Sequence, residues 1–336
     1  MTHEQTGLML LEPQAPELGT DLPADPMERL VHFARLAPSS HNSQPWRFVL
    51  ERDAIDVFAD LTRWLCVADR DRRELYLSVG CALESLLIAA DYEGFGTEVK
   101  LFPIAGDESY VCRIDIRRSG PKRESAAGGL LDAAPRRHTS HRAFDQARPI
   151  AKRDLALLQD APGEGVVLHL LDGDQARPAL DALLARAEAK LFADSGYRAE
   201  LGRWIGQGAL GTSWLISKLG QLAFTHLAAA ERYAHEEAVR LASAPHFALL
   251  STDGDSRPEQ VCAGQAYARI ALMAESRDIR TQPFSAPLEV EETRAAVAQL
   301  FGIGARRAQQ LFRLGYAEPE TLRTTRRPLA DVLVRT

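Results

Sequence analysis

The sequence predicts an α+β protein, a three-layer sandwich in which two tandem half-repeats pair as an internal pseudo-dimer. Two features predict it. The first is a repeat: Gly80, Cys81 and Ala82 through Ala89, Ala90 and Asp91, and on to Thr97, align without gaps on Gly264, Gln265 and Ala266 through Met273, Ala274 and Glu275, and on to Thr281. The second is that both stretches are long apolar helices followed by a short exit and a strand, with β-rich runs around them. Such units bury their helices against each other and leave mixed sheets outside.

The elements follow in order. Residues 1–23, with Pro13, Pro16 and Pro23, form a loosely ordered lead-in. A helix starts at Asp25-Pro26, an N-cap followed by Pro at the first helical position, and carries Leu30, Phe33, Ala34 and Ala37 as its apolar stripe until Pro38 stops it. Strands are expected at 46–50 and 54–59, then a helix over 72–92 closed by Gly94, then strands at 98–102 and 109–116. The run SGPKRESAAGG at 119–129 is the best linker candidate, which divides the chain into a first repeat at 24–118, a linker at 119–135 and a second repeat at 136–336. In the second repeat, helices are expected at 152–159, 177–192, 259–276 and 291–299, strands at 166–171 and 246–250, and a lid-like insertion near 197–231.

Composition narrows the function. The chain has 336 residues, 46% hydrophobic and 26% charged, enough for a sizeable core. A net charge of -6 argues against nucleic acid or an anionic membrane as the main partner and leaves a small molecule. Cys66, Cys81, Cys112 and Cys262 are widely spaced, so buried free thiols are expected and neither a disulfide framework nor a metal site. No signal sequence is legible, and no apolar run approaches the roughly 18–20 residues of a membrane span, so the expected compartment is the cytoplasm.

The most informative stretch is APSSHNSQPWRF at 37–48. It sets two prolines, hydroxyls and side-chain amides between a helix end and a strand, beside Trp46. A stiff loop of this kind suits a flat polar heterocycle, whose edges need directed hydrogen bonds and whose faces need apolar cover. An ordinary Pro/Ser/Asn turn has the same composition. A second stretch, RRHTSHRAF at 136–144, gathers guanidinium and hydroxyl donors fit for a phosphate, although a basic cluster is more often a solvated face.

These residues resemble a known family. The 37–48 loop is similar to the Ser/Asn/Gln-Pro-Trp signature of the FMN-dependent nitroreductases, and 60–74 resembles the narrower double-length, Acg-like group in which two such units are fused. The resemblance implies that Pro38, Ser39, Ser40, Asn42 and Gln44 serve the flavin ring, and that Arg137, Thr139, Ser140 and Arg142 grip its phosphate and ribityl chain. One inserted residue leaves open whether Arg137 or Arg142 makes the closer contact. By the same resemblance Thr281, Gln282 and Phe284 border the N5 edge, and Arg326 and Arg327, in RRPLADVL, approach the phosphate. The first half has the loop but no Arg/Ser/Arg opening; the second has the opening and the Arg-Arg-Pro ending but reads DAPGEG at 160–165 where the loop would recur. One FMN per chain is therefore expected, in a monomeric pseudo-dimer or a homodimer.

Three readings follow. The first is an oxidoreductase that passes hydride from NAD(P)H through flavin N5 to a nitroaromatic or quinone-like small-molecule acceptor, with no catalytic side chain because the flavin carries the chemistry. The second is a protein that holds FMN without turnover. The third is DNA binding through a helix-hairpin-helix-like turn at Gly302 and Gly304, beside Arg306, Arg307, Arg313 and Arg323; a helix-turn-helix packing element is the plainer reading. GQGALG at 206–211 has the text of a dinucleotide fingerprint but follows helix rather than strand, and it suits a lid flanked by Trp204 and Trp214. HEEAV at 235–239 lacks a second His for zinc.

Overall fold

The computed structural model describes residues 22–120, 126–207, 227–318, 320 and 324–334. The lead-in to residue 21, part of the linker (121–125), most of the lid-like insertion (208–226, with Trp214) and Arg323 lie outside the described residues.

The chain opens with α1 (Pro26–Ala34), where the Asp25 carboxylate accepts from the Met27 N–H at 2.9 Å as the expected N-cap. Strands β1 (Trp46–Leu50) and β2 (Ala54–Ala59) follow, then α2 (Arg73–Glu93), closed by Gly94 at φ 80°, where a side chain would be strained. Strands β3 (Phe95–Leu101) and β4 (Tyr110–Arg118) complete the first half. The second contains α3 (Ala126–Ala133), α4 (Lys152–Gln159), β5 (Val166–Asp172), α5 (Gly173–Ala193), α6 (Ser195–Gly206), α7 (Leu227–Ala242), β6 (His246–Thr252), α8 (Arg257–Glu275), β7 (Arg280–Pro283), α9 (Ala286–Glu289), α10 (Glu291–Leu300), β8 (Arg307–Gly315), α11 (Leu329–Val332) and β9 (Leu333–Val334).

The two halves have one topology. The first sheet runs β3-β4-β2-β1-β9 and the second β7-β8-β6-β5 when read from its other edge, so β1 to β4 correspond to β5 to β8 in order. Helices α2 and α8 cross between the sheets. A Cβ on Gly80 would lie 2.1 Å from the carbonyl oxygen of Val261, and one on Gly264 would lie 2.0 Å from that of Leu77. Gly80 and Gly264 are aligned positions of the repeat, as are Leu77 and Val261, so the crossing obeys a pseudo-two-fold relation. The short β9 belongs in sequence to the second half but pairs parallel with β1, Phe48 opposite Leu333, and carries the C-terminal segment across the molecule.

Several expectations need correction. The stretch anticipated as a linker contains α3, because Leu131, Ala133 and Ala134 insert into the central core despite the Gly/Ser-rich approach. The second sheet has a helical layer on its outer face: Phe247 and Leu249 point to α5 and α10, while Ala248 and Leu250 point to the centre. Gly302 and Gly304, at φ 62° and 66°, turn the chain from α10 into β8, so no second helix exists to complete a hairpin, and Arg306 and Arg307 are tied to Asp253 and Asp255. Strand β8 itself was unexpected, since it holds Gln309, Gln310 and Arg313 within a buried strand. Helix α2 is long and apolar enough to cross a membrane by length and composition, contrary to the reading of the sequence; 83% of that window is buried here as a core helix. Of the four cysteines, Cys81 and Cys112 are buried, Cys262 is partly so and Cys66 is exposed.

Candidate functional site

A cavity of about 420 Å³ lies where the halves meet, within the roughly 300–1,000 Å³ of small-molecule sites. Its first wall is the loop after α1. There Ser39 Oγ accepts from the Gln44 N–H at 2.9 Å, the Ser40 N–H donates to Ser78 Oγ on α2 at 3.1 Å, and a short 3-10 turn spans Ser40–Asn42. His41, Asn42 and Gln44 all sit in the left-handed region, at φ 49°, 51° and 50°. Three non-glycine residues so held within four positions are costly locally, and the surrounding contacts must over-determine them.

Those contacts come from the far end of the chain. Asn42 Nδ2 donates to the Thr325 carbonyl at 3.0 Å, and Arg326 Nη1 returns a bond to Asn42 Oδ1 at 3.1 Å. The Gln44 Oε1 accepts from the Arg327 N–H at 2.8 Å, and Arg327 Nη1 donates to the Gln44 carbonyl at 3.0 Å. The Leu36 carbonyl accepts from Arg326 Nη2 at 3.2 Å and from Arg137 Nη2 at 3.4 Å, so two guanidinium groups from different segments converge on one oxygen.

Of the residues expected at the site, Pro38, Ser39, Ser40, Asn42, Arg137, Thr139, Phe284 and Arg326 line the cavity. Gln44, Ser140, Arg142, Thr281, Gln282 and Arg327 do not. Gln44 and Arg327 are spent on each other's backbones, and Arg327 also faces Asp60 at 3.6 Å. Ser140 and Thr281 are buried and joined by a 3.2 Å backbone bond, Ser140 N–H to Thr281 carbonyl. Gln282 accepts from Arg313 Nε at 2.8 Å and donates to Glu237 at 3.0 Å. Between the two arginines left open, Arg137 is 5% exposed on the cavity wall, whereas the Arg142 side chain is 58% exposed and faces Glu320.

Side chains without a motif complete the cavity. Leu77, Ser78 and Cys81 on α2 and Tyr267 on α8 form part of the lining, and burial pushes the Cys81 thiol up, so it is inert at neutral pH. His138 binds Glu320 Oε2 at 2.9 Å, and burial pushes His141 down to about 4, which keeps it neutral. Glu188, Phe192, Tyr197, Leu201 and Ile205 come from α5 and α6. Tyr197, Leu201 and Ile205 lie within the lid-like insertion expected near 197–231, whereas Phe192 carried only an apolar helical period and Glu188 no signal at all. Beneath the 136–144 segment, fully buried Arg313 donates to the carbonyls of Arg240 at 2.6 Å and Arg142 at 2.5 Å and stacks 3.8 Å from the centre of the Phe144 ring.

The electrostatics favour an anion on the arginine wall. Burial first, and then the like charges of Arg137 and Arg35, push Arg326 down to about 9. Its Nε has no hydrogen-bond partner among the described residues, and no carboxylate there pairs with it. Among the described residues no cluster of three or more His, Cys, Asp or Glu is placed to hold a metal ion.

No family model matches the chain. A Mycobacterium tuberculosis H37Rv protein named "Putative NAD(P)H nitroreductase Rv3131" is 30% identical over 301 residues, covering 88% of this chain and 86% of its own length. The chain belongs to the NAD(P)H nitroreductase family. A second member from the same strain, "Putative NAD(P)H nitroreductase acg", is 28% identical over 331 residues, covering 93% of this chain and 96% of its own. Among solved structures, the FMN-dependent nitroreductase NfnB from Mycobacterium smegmatis, in complex with NADPH, is 19% identical and covers 60% of this nitroreductase-family chain and 97% of its own, at a TM-score of 0.40. A nitroreductase with bound FMN from Desulfitobacterium hafniense DCB-2 is 15% identical, with 60% and 95% covered and a TM-score of 0.41.

Proposed function

We propose that the cavity holds one FMN per chain and that the protein is an NAD(P)H-dependent oxidoreductase for nitroaromatic or quinone-like acceptors. The observation that carries this reading is the Arg326–Asn42 contact, which brings the Ser/Asn loop of the first half and the basic ending of the second onto one cavity with Arg137. The residues present fit the group. A phosphate offers charge to Arg326, which burial and its neighbours disfavour as a cation, and an acceptor to its unpartnered Nε.

When bound, FMN supplies hydride acceptance and donation through N5. The chain does the rest. Arg137 and Arg326 hold the phosphate, with Thr139 beside them. Pro38, Ser39, Ser40 and Asn42 orient the ring edge, on a backbone that the C-terminal segment clamps before any ligand arrives. Leu77, Tyr267 and Phe284 give apolar cover and exclude water. Family membership supports the redox reading, and the expected compartment is the cytoplasm.

The test is the visible spectrum of the purified protein with its flavin-to-chain ratio, followed by anaerobic mixing with NADPH. A ratio near one and bleaching of the flavin absorbance support the enzyme. A yellow protein that never bleaches replaces it with an FMN-holding protein, and a colourless one that takes up no FMN ends the proposal.

A further inference from the structure

On the wall formed by α5 and α6 the cavity holds a carboxyl group that nothing above uses. Glu188 is 6% exposed, lines the cavity, and has neither a hydrogen bond nor an ion pair among the described residues. Around it, Leu184, Phe192, Leu201 and Ile205 line the same wall. Burial, followed by the negative charges of Glu237 on α7 and Asp181 on its own helix, pushes Glu188 up to about 8. Glu237 also lines the cavity, but Arg240 and Gln282 hold it. A buried carboxyl costs stability unless a partner meets it, and an apolar wall without one leaves that partner to a ligand.

We propose that Glu188 is a specificity-determining residue that receives a cationic nitrogen of the acceptor, so that the pocket selects apolar aromatic compounds carrying a protonated amine. The aromatic body packs against Leu184, Phe192 and Ile205 while the ammonium group meets Glu188, with Glu237 adding to the negative potential. A neutral compound meets Glu188 in the protonated form that burial favours up to about pH 8, whereas an ammonium group draws out the carboxylate and releases its proton on binding, so the pocket prefers the cation. This deepens the oxidoreductase reading and rests on it for the word acceptor, although the binding step itself involves no turnover.

The experiment uses the full chain as purified and two probes of nearly equal shape, 4-nitrobenzylamine and 4-nitrobenzyl alcohol, titrated calorimetrically at pH 7.5. The expected result is at least tenfold tighter binding of the amine, with E188Q bringing the two probes within about twofold by weakening the amine alone. E188M, which keeps the side-chain volume, serves if E188Q does not fold. Equal binding of both probes by the unaltered protein overturns the inference, and so does a preference that survives both substitutions. If Glu188 instead delivers a proton during reduction, E188Q slows turnover of both probes equally without changing their binding ratio, which also overturns it. A colourless protein that takes up no FMN yet still prefers the amine refutes the FMN reading and leaves the recognition role of Glu188 intact.

Discussion

Arg326 Nη1 donates a 3.1 Å hydrogen bond to Asn42 Oδ1 across a sequence separation of 284 residues. The bond sets the basic ending of the chain against its Ser/Asn loop and fixes the side-chain oxygen of Asn42 on a guanidinium that the phosphate is proposed to share. R326Q is expected to weaken FMN binding about 10–100-fold, the effect of losing a charge-assisted hydrogen bond of about 1.5–3 kcal/mol, while riboflavin, which lacks the phosphate, changes less than threefold. Quenching of flavin fluorescence on titration measures both. Equal losses for the two ligands would mean that Arg326 only braces the loop.

N42D places a carboxylate opposite Arg326 at the same position. It pairs with the guanidinium and competes with the phosphate, so FMN affinity falls at least tenfold, while the melting temperature changes little because the new ion pair offsets the lost Nδ2 donor to the Thr325 carbonyl. Aspartate keeps the tolerance of asparagine for the left-handed backbone at φ 51°, which alanine lacks. Differential scanning fluorimetry beside the flavin titration separates these effects, and unchanged FMN affinity would argue against a phosphate at Arg326.

Arg137 and Arg142 make a paired test within one motif. R137Q is expected to lower FMN affinity about tenfold or more, and R142Q less than twofold, because only the first faces the cavity and the second is solvated. A larger effect at Arg142, read by the same titration, would mean that the segment rearranges when ligand binds.

The central crossing leaves no room for a methyl group. G80A and G264A each push a Cβ to within about 2 Å of a backbone carbonyl, so each is expected to cost about 1–3 kcal/mol or more in chemical denaturation, and to cost similar amounts because the two sites are related by the pseudo-two-fold. A marked inequality would show that the halves are coupled less symmetrically than their backbones.

Glu188 also gives the fold a pH dependence. Its value in the folded protein, about 8, lies above the ordinary 4.5, so the folded state binds the proton more tightly than the unfolded chain. Its penalty is absent below about pH 4.5, grows as pH rises, and is complete above about 8. E188Q should therefore match the unaltered protein in melting temperature near pH 5 and exceed it by several degrees at pH 8.5. Asp181 and Glu237 remain nearby, with Arg240 holding the latter, so the residual pH dependence reports them. A difference independent of pH would refute the assignment.

Legibility in the sequence tracked how local each cause was. The N-cap at Asp25, the stop at Gly94, the β-rich run of β1 and the alternating sequence of β2 depend on neighbours a few residues away, and they were read directly. Pro38, Ser39, Ser40 and Asn42 were singled out by the resemblance of their loop to a known signature, because by composition alone the stretch matches an ordinary Pro/Ser/Asn turn. Gln44 and Arg327 belong to the same motifs and were indistinguishable from them by type; only the clamp between the chain ends shows that both are spent on structure. Strand β8 escaped notice because its Gln309, Gln310 and Arg313 look solvent-exposed, whereas each is buried. Glu188 lies on a helix face where one glutamate among alanines and leucines signals nothing.

By itself the sequence determined the half-repeats, the two long helices and the stiff polar loop at 37–48, because hydrophobic period, capping and turn chemistry act over short spans of chain. The tertiary structure alone decided which polar groups face the cavity and which are consumed in holding it. That choice depends on partners such as Asn42 and Arg326, hundreds of residues apart, and on burial, which no local pattern encodes.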